Sequence, residues 1–234
     1  MLPYHLYFSG HGSHAIRGVA IAVREDAQKC LISYDLISDR LMSARFRHRH
    51  GYLTVIACYA PTEVADVPAK NEFYDHLSSV IESVPKSDHL IIGGDFNAEL
   101  GRERAGWEAA MGPFGLGTVN DNGLRLLSLA LHTDTRIMNT HFQHKNCHRI
   151  TWNSNTGTVS KVLDYVVVVV VEMLPVVDMV NWPGHFSHQE PGRKGGRNPG
   201  GRQSRRDIPG DVHNTWRERF GPKNFCLALS PRAQ

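Results

Sequence analysis

The sequence predicts an α/β domain in which two sheets pack face to face with helices outside, a four-layer sandwich over residues 1–188, followed by a basic tail over 189–234. Three observations predict it. Apolar strands follow one another from Arg17 to Ala60; strand then alternates with helix; and beyond His188 the composition stops supporting a core. The pattern alone also admits a single, largely parallel sheet.

The first strands read from the residues are RGVAIAVRE, KCLISYDLIS, RLMSARFRHR and YLTVIACYAP, rich in Val, Ile and Leu and separated by polar or Gly-containing breaks. In the third, Met42, Ala44 and Phe46 alternate with Arg45 and Arg47, so one face packs and the other meets water. Between Pro68, a favourable first helical residue, and Pro85, a stop, Phe73, Leu77, Val80, Ile81 and Val84 recur at helical spacing. The strand HLIIGG follows. After a Gly-rich loop, DNGLRLLSLALH opens with capping residues and carries Leu124, Leu127 and Leu131 as the apolar stripe of a second helix. TRIMNTHF, RITWNSN and VLDYVVVVVV read as three further strands.

A chain with 41% apolar residues supports a real core. Its longest apolar run, Val166 to Val171, lies between Asp164 and Glu172 and falls far short of the roughly 20 apolar residues of a membrane helix. No secretory signal is visible at the start, so an intracellular location, nuclear or cytoplasmic, and no membrane partner are expected. Cys30, Cys58, Cys147 and Cys226 are widely spaced and lack a C-x-x-C pair, which argues for free thiols. Charge is unevenly placed: residues 1–188 hold 16 Lys and Arg against 19 Asp and Glu, whereas 189–234 hold 10 against 4. Residues 191–206 contain six basic side chains, seven Gly or Pro and no aliphatic side chain, so a disordered extension able to contact nucleic acid is expected there, with FCLALS too short to alter that.

The chemistry concentrates in GGDFNAELG. Asp95 and Asn97 stand two residues apart at a strand end, so extended geometry puts them on one side. A carboxylate can deprotonate water and an amide can donate to charge on phosphate oxygens. The same D-x-N spelling is also a turn motif, because Asp bonds its own backbone two residues on. CYAPT, GGDFNAELG, NGLRLL, ITWN and LDYVVV occur in that order, and together they resemble the endonuclease/exonuclease/phosphatase superfamily with its DNase I-like fold, close to the endonuclease domains of LINE-type retrotransposons and the craniofacial development protein 2-like sequences. The similarity runs over about residues 7–168.

The resemblance implies Mg²⁺- or Mn²⁺-assisted hydrolysis of DNA phosphodiester bonds. It makes Asp95 the activator of water and Asn97 the holder of the scissile phosphate, with both as weak metal ligands. It makes Tyr59 a donor to a phosphate oxygen, Thr151 a cleft residue and Asp164 the partner that orients a catalytic histidine. Two departures stand against it. The family's opening Asn strand and Glu-bearing strand have no counterpart, which implies an N-terminally truncated domain, and Ser187-His188 lacks the Asp of the closing Ser-Asp-His. Ser87-Asp88-His89 spells that triplet but precedes the GDFN strand, so chain order excludes it. These losses imply weak or absent activity. Two alternatives stay open: a catalytically dead remnant that binds nucleic acid or protein, and a phosphodiesterase acting on a substrate other than nucleic acid. HFQHKNCH lacks the carboxylates of a metal cluster and GPFGLG lacks the Gly-Lys of a P-loop, so both read as loops.

Overall fold

In a computed structural model the structure describes residues 4–10, 17–169 and 225–229, the last as backbone only. In chain order the elements are β1 (Tyr4–Gly10), β2 (Gly18–Arg24), a short α1 (Glu25–Gln28), β3 (Leu31–Leu36), β4 (Leu41–His48) and β5 (Gly51–Tyr59). Then come α2 (Val67–Ser83), β6 (Asp88–Asp95), α3 (Asp121–His132), β7 (Thr135–Ile137), β8 (Trp152–Asn153), β9 (Ser160–Lys161), β10 (Asp164–Val169) and β11 (Phe225–Leu229). Six strands form one sheet in the order β3-β4-β5-β6-β10-β7, and a second sheet has the order β1-β2-β11. Antiparallel hairpins join β3, β4 and β5; β5 and β6 run parallel, as the α2 crossover between them requires.

Alternation along the central strands divides the core. Leu53, Val55, Ala57 and Tyr59 of β5 turn toward the second sheet, where they meet Val19, Ile21 and Val23 of β2 and Met42, Ala44 and Phe46 of β4. Ile56 and Cys58 turn the other way, with Ile92, Tyr165 and Val167, and are covered by Phe73, Leu77 and Ile81 of α2 and by Leu126, Leu127 and Ala130 of α3. Helices, six-stranded sheet and three-stranded sheet are thus three layers of the sandwich, and two sheets face to face replace the single-sheet alternative. The fourth layer is not represented among the described residues.

Three details differ from the sequence expectation. Of the α3 stripe Leu124, Leu127 and Leu131 only Leu127 is buried: Leu124 and Leu131 are exposed, and the buried face runs through Asn122, Gly123, Leu126, Leu127 and Ala130. The helix is turned because its first residues pack on the loop after β6; a Cβ on Gly123 would lie 1.9 Å from the Glu99 carbonyl oxygen. Phe225–Leu229, placed in the tail by composition, forms a strand parallel to β2. Residues 191–206, Ser187 and His188 lie outside the described residues. Of the run TRIMNTHF only Thr135–Ile137 is extended; Met138–Thr140 is a 3₁₀ turn.

Prolines bound α2 as the sequence indicates, whereas the N-caps are Asp66 for α2 and Asn120, one residue before the segment read as capping, for α3. Asp66 accepts from the Ala69 amide at 3.2 Å with Pro68 in the first turn, and α2 stops at Val84, whose extended backbone suits a residue before proline. At the start of β6, Asp88 is fully buried and accepts from Arg45 Nε (2.7 Å) and Nη2 (2.9 Å) and from the Thr54 hydroxyl (2.8 Å). Arg45 also lies 4.2 Å over the Tyr52 ring. The guanidinium holds the Asp88 carboxyl below its ordinary range, so its contribution is present above the unfolded value near 4 and is lost as the pH falls through the lower folded value. Asp88→Asn is expected to lower stability by about 2 kcal/mol at pH 7, with the gap to wild type closing in acid; urea denaturation at pH 7 and pH 3 measures both.

Candidate active site

The three strands β5, β6 and β10 set the candidate residues Tyr59, Asp95 and Asp164 in one row. Tyr59 is the register partner of Asp95 across the parallel pair, and Asp95 is the partner of Asp164 across the antiparallel pair. Directly opposed residues present their side chains on the same face. Ala57, Ile91 and Val166, two or four positions along the same strands, pack toward the second sheet, so the row opens at the end of the cleft between the sheets. Close approach of the strands here depends on Gly94, where a Cβ would fall 2.1 Å from the Cys58 carbonyl oxygen.

Beyond β6 the chain turns sharply. The Asn97 amide donates to Asp95 Oδ1 at 2.9 Å, so D-x-N is the turn that its spelling allows, while the carboxylate keeps its second oxygen for other work. Asn97 has φ 49°, a left-handed backbone that asparagine tolerates better than most residues. Its side-chain amide donates to the Ala60 carbonyl at 3.0 Å, and the Ala60 amide donates to the Asp95 carbonyl at 2.8 Å. The YAP and DFN segments are thereby one unit, with the Asn97 Oδ1 and one amide hydrogen left for a ligand.

Asp164 is fixed from the other side. Thr151 Oγ1 accepts from the amides of Leu163 (3.0 Å) and Asp164 (3.2 Å). Thr151 therefore lies beside Asp164 and braces its backbone. Asn139, which sequence reasoning does not single out, accepts from the Val166 amide at 2.8 Å and donates to the Asp164 carbonyl at 3.3 Å. Its signal in the sequence is weak, a lone amide inside an apparent strand.

Both acids retain some exposed surface yet are set in dense protein. Burial raises the Asp95 carboxyl to about 6, against the pull of the Asn97 amide. Burial, and then the charge of Asp95, raises Asp164 well above the ordinary carboxylate range, with Thr151 opposing. Two such acids side by side resist double ionisation. Their hard oxygens, with Asn97 Oδ1 nearby, suit a hard divalent cation completed by water and phosphate oxygens, and such a cation would relieve the same repulsion. Among the described residues no group of three or more His, Cys, Asp or Glu side chains gathers in metal-binding geometry.

Tyr59 is buried, and its hydroxyl is pushed up by burial and by Asp95. Arg40 stands 5.3 Å over its ring and donates from Nη1 to its carbonyl at 2.9 Å. Sequence reasoning misses this cation, because Arg40 looks like any polar residue between two strands. Its charge is held beside Tyr59 by the β3–β4 connection, where Arg17 pairs with Asp39 at 3.1 Å.

Residues 2–203 match the endonuclease/exonuclease/phosphatase family. The chain belongs to that family. It is a nuclease- or phosphodiesterase-type domain, 35% identical over 164 residues to craniofacial development protein 2 of Bos taurus, which covers 70% of this chain and 27% of that protein. The chain thus spans about a quarter of that relative's length. Its fold is shared with the endonuclease domain of TRAS1, a telomere-specific non-LTR retrotransposon, at 16% identity and TM-score 0.50, over 76% of this chain and 69% of that one. The 3′ phosphatase NExo from Neisseria, bound to a product DNA hairpin, aligns at 15% identity and TM-score 0.50 over 71% of this chain and 66% of that one. Among the described residues no helix of this family member is long and apolar enough to cross a membrane.

A raised carboxyl in the folded state favours folding below the unfolded value near 4, and that advantage is lost as the pH rises through about 6. Asp95→Asn keeps a turn-forming oxygen and removes one of the opposed charges. It is expected to be more stable than wild type by about 1–3 kcal/mol at pH 8 and indistinguishable at pH 4, read by urea denaturation.

Proposed function

We propose that this domain hydrolyses phosphodiester bonds of DNA, with Asp95 as the acceptor of the proton from the attacking water. The row Tyr59–Asp95–Asp164 at the end of the intersheet cleft carries the reading, since it sets a proton acceptor beside a hydroxyl donor and an amide. A carboxyl raised to about 6 is largely ionised at neutral pH and still basic enough to take a proton. The free oxygen of Asp95 orients the water. The Tyr59 hydroxyl and the Asn97 amide donate to the non-bridging phosphate oxygens, and the Arg40 guanidinium beside Tyr59 adds fixed positive charge where the phosphate becomes more negative. Asp95, Asp164 and the Asn97 Oδ1 would hold a divalent cation, Mg²⁺ or Mn²⁺, whose chemistry is to neutralise phosphate charge. Asp164, its backbone braced by Thr151, would orient the group that protonates the leaving oxygen. Likeness in fold to the endonuclease domain of TRAS1, a telomere-specific retrotransposon, and to the 3′ phosphatase NExo, bound to a DNA hairpin, favours DNA over other phosphodiesters.

Nicking of supercoiled plasmid with Mg²⁺ or Mn²⁺ tests the proposal. Asp95→Ala is expected to lower the rate at least about 100-fold. The wild-type rate should climb as the pH rises through about 6 and then level, following ionisation of Asp95. DNA retained without cleavage would replace hydrolysis with a binding module.

A further inference from the structure

The first turn of α3 is built into the site by two asparagines. Asn120 Oδ1 accepts from the Gly123 amide at 2.7 Å, capping the helix, and from the Glu99 amide at 2.9 Å; its Nδ2 donates to the Asn97 carbonyl at 3.1 Å. Asn122 Nδ2 donates to the Pro61 carbonyl at 3.0 Å and to the Asn97 carbonyl at 3.4 Å. The one carbonyl that receives two side-chain amides therefore belongs to the residue with φ 49° whose own amide reaches the Asp95 carboxylate. Asn122 is fully buried, yet its Oδ1 has no hydrogen-bond partner. A buried acceptor left unmet is costly, so the Oδ1 does not account for an asparagine here; the Nδ2 does, by meeting the Pro61 and Asn97 carbonyls. Helix capping does not account for it: Glu63 receives the amides of Asp121 (3.1 Å) and Asn122 (3.2 Å), and Asn120 caps Gly123. What Asn122 adds is a tie between the segment after Tyr59 and the segment after Asp95.

We infer that Asn120 and Asn122 are positioning residues that hold Asn97 in its left-handed conformation and so aim its side-chain amide, an inference that rests on the hydrolytic reading above. Asn120→Asp separates this role from capping. An aspartate keeps both acceptor contacts and suits a helix N-terminus, but it cannot donate to the Asn97 carbonyl. Asn122→Leu removes the unmet acceptor together with the tie.

The experiment uses the full chain and three readouts: plasmid nicking, thermal unfolding and amide hydrogen exchange at Asn97. For N120D the inference expects a thermal midpoint within about 3 °C of wild type. It expects kcat to fall at least about 10-fold with KM changed less than about 3-fold, and exchange at Asn97 to quicken at least about 10-fold. N122L, in which the Pro61 carbonyl also loses its donor, should unfold at a lower temperature than wild type yet show the same fall in kcat at temperatures where it is fully folded. Unchanged kcat and unchanged Asn97 exchange in N120D would overturn the inference, as would a loss of kcat that merely follows a loss of stability. Where wild type cleaves nothing but Asn97 exchange still quickens in N120D, the hydrolytic reading fails and the hold on Asn97 stands.

Discussion

The site depends on two carboxylates that the sheet forces to be neighbours. Asp95 and Asp164 end adjacent strands in direct register, and neither can move away without breaking the ladder between β6 and β10. Packed protein around them disfavours charge, and each disfavours ionisation of the other. The surrounding bonds follow from the need to hold this pair: the Asn97 amide on one oxygen of Asp95, Thr151 beneath Asp164, and Asn139 along the β10 backbone.

The two ends of β6 show the difference between an acid that serves the fold and one that does not. Asp88, at the start, is fully enclosed but has a guanidinium and a hydroxyl on its oxygens, which hold it ionised. Asp95, at the end, has one backbone amide and faces another acid. Seven residues apart on one strand, the first is satisfied and the second is primed to take a proton or a cation. Such unsatisfied electrostatics in a cleft mark sites of chemistry more often than sites of packing.

Much of this was legible in the residues because it is local. Apolar runs rich in Val, Ile and Leu gave β2 to β6, with alternation explicit in β4, and Pro68, Pro85 and the spacing of Phe73, Leu77 and Ile81 gave α2. Asp95, Asn97, Tyr59, Thr151 and Asp164 were readable as a set through the order of their motifs, and they do meet. What was not readable depends on partners distant in sequence. The buried face of α3 is chosen by the loop it presses on, so Leu124 and Leu131 face water despite their hydrophobicity. β11 finds its place only against β2. Arg40 acquires meaning from the Tyr59 ring, and Asn120 and Asn122, which look like capping residues, have second contacts with Asn97 that no spacing rule reveals.

The shared row of Tyr59, Asp95 and Asp164 also bears on how the chain avoids wrong pairings. Val166 to Val169 is a run of identical residues, and valines alone would slide along β6 with little to choose between alignments. A slip of one position would carry its side chains to the opposite face and drive Asp164 into the apolar layer beneath the helices, where Ile56 and Ile92 lie. Such an uncompensated charge in hydrocarbon is costly enough to reject the misaligned state. The acid that strains the correct fold thus also proofreads it.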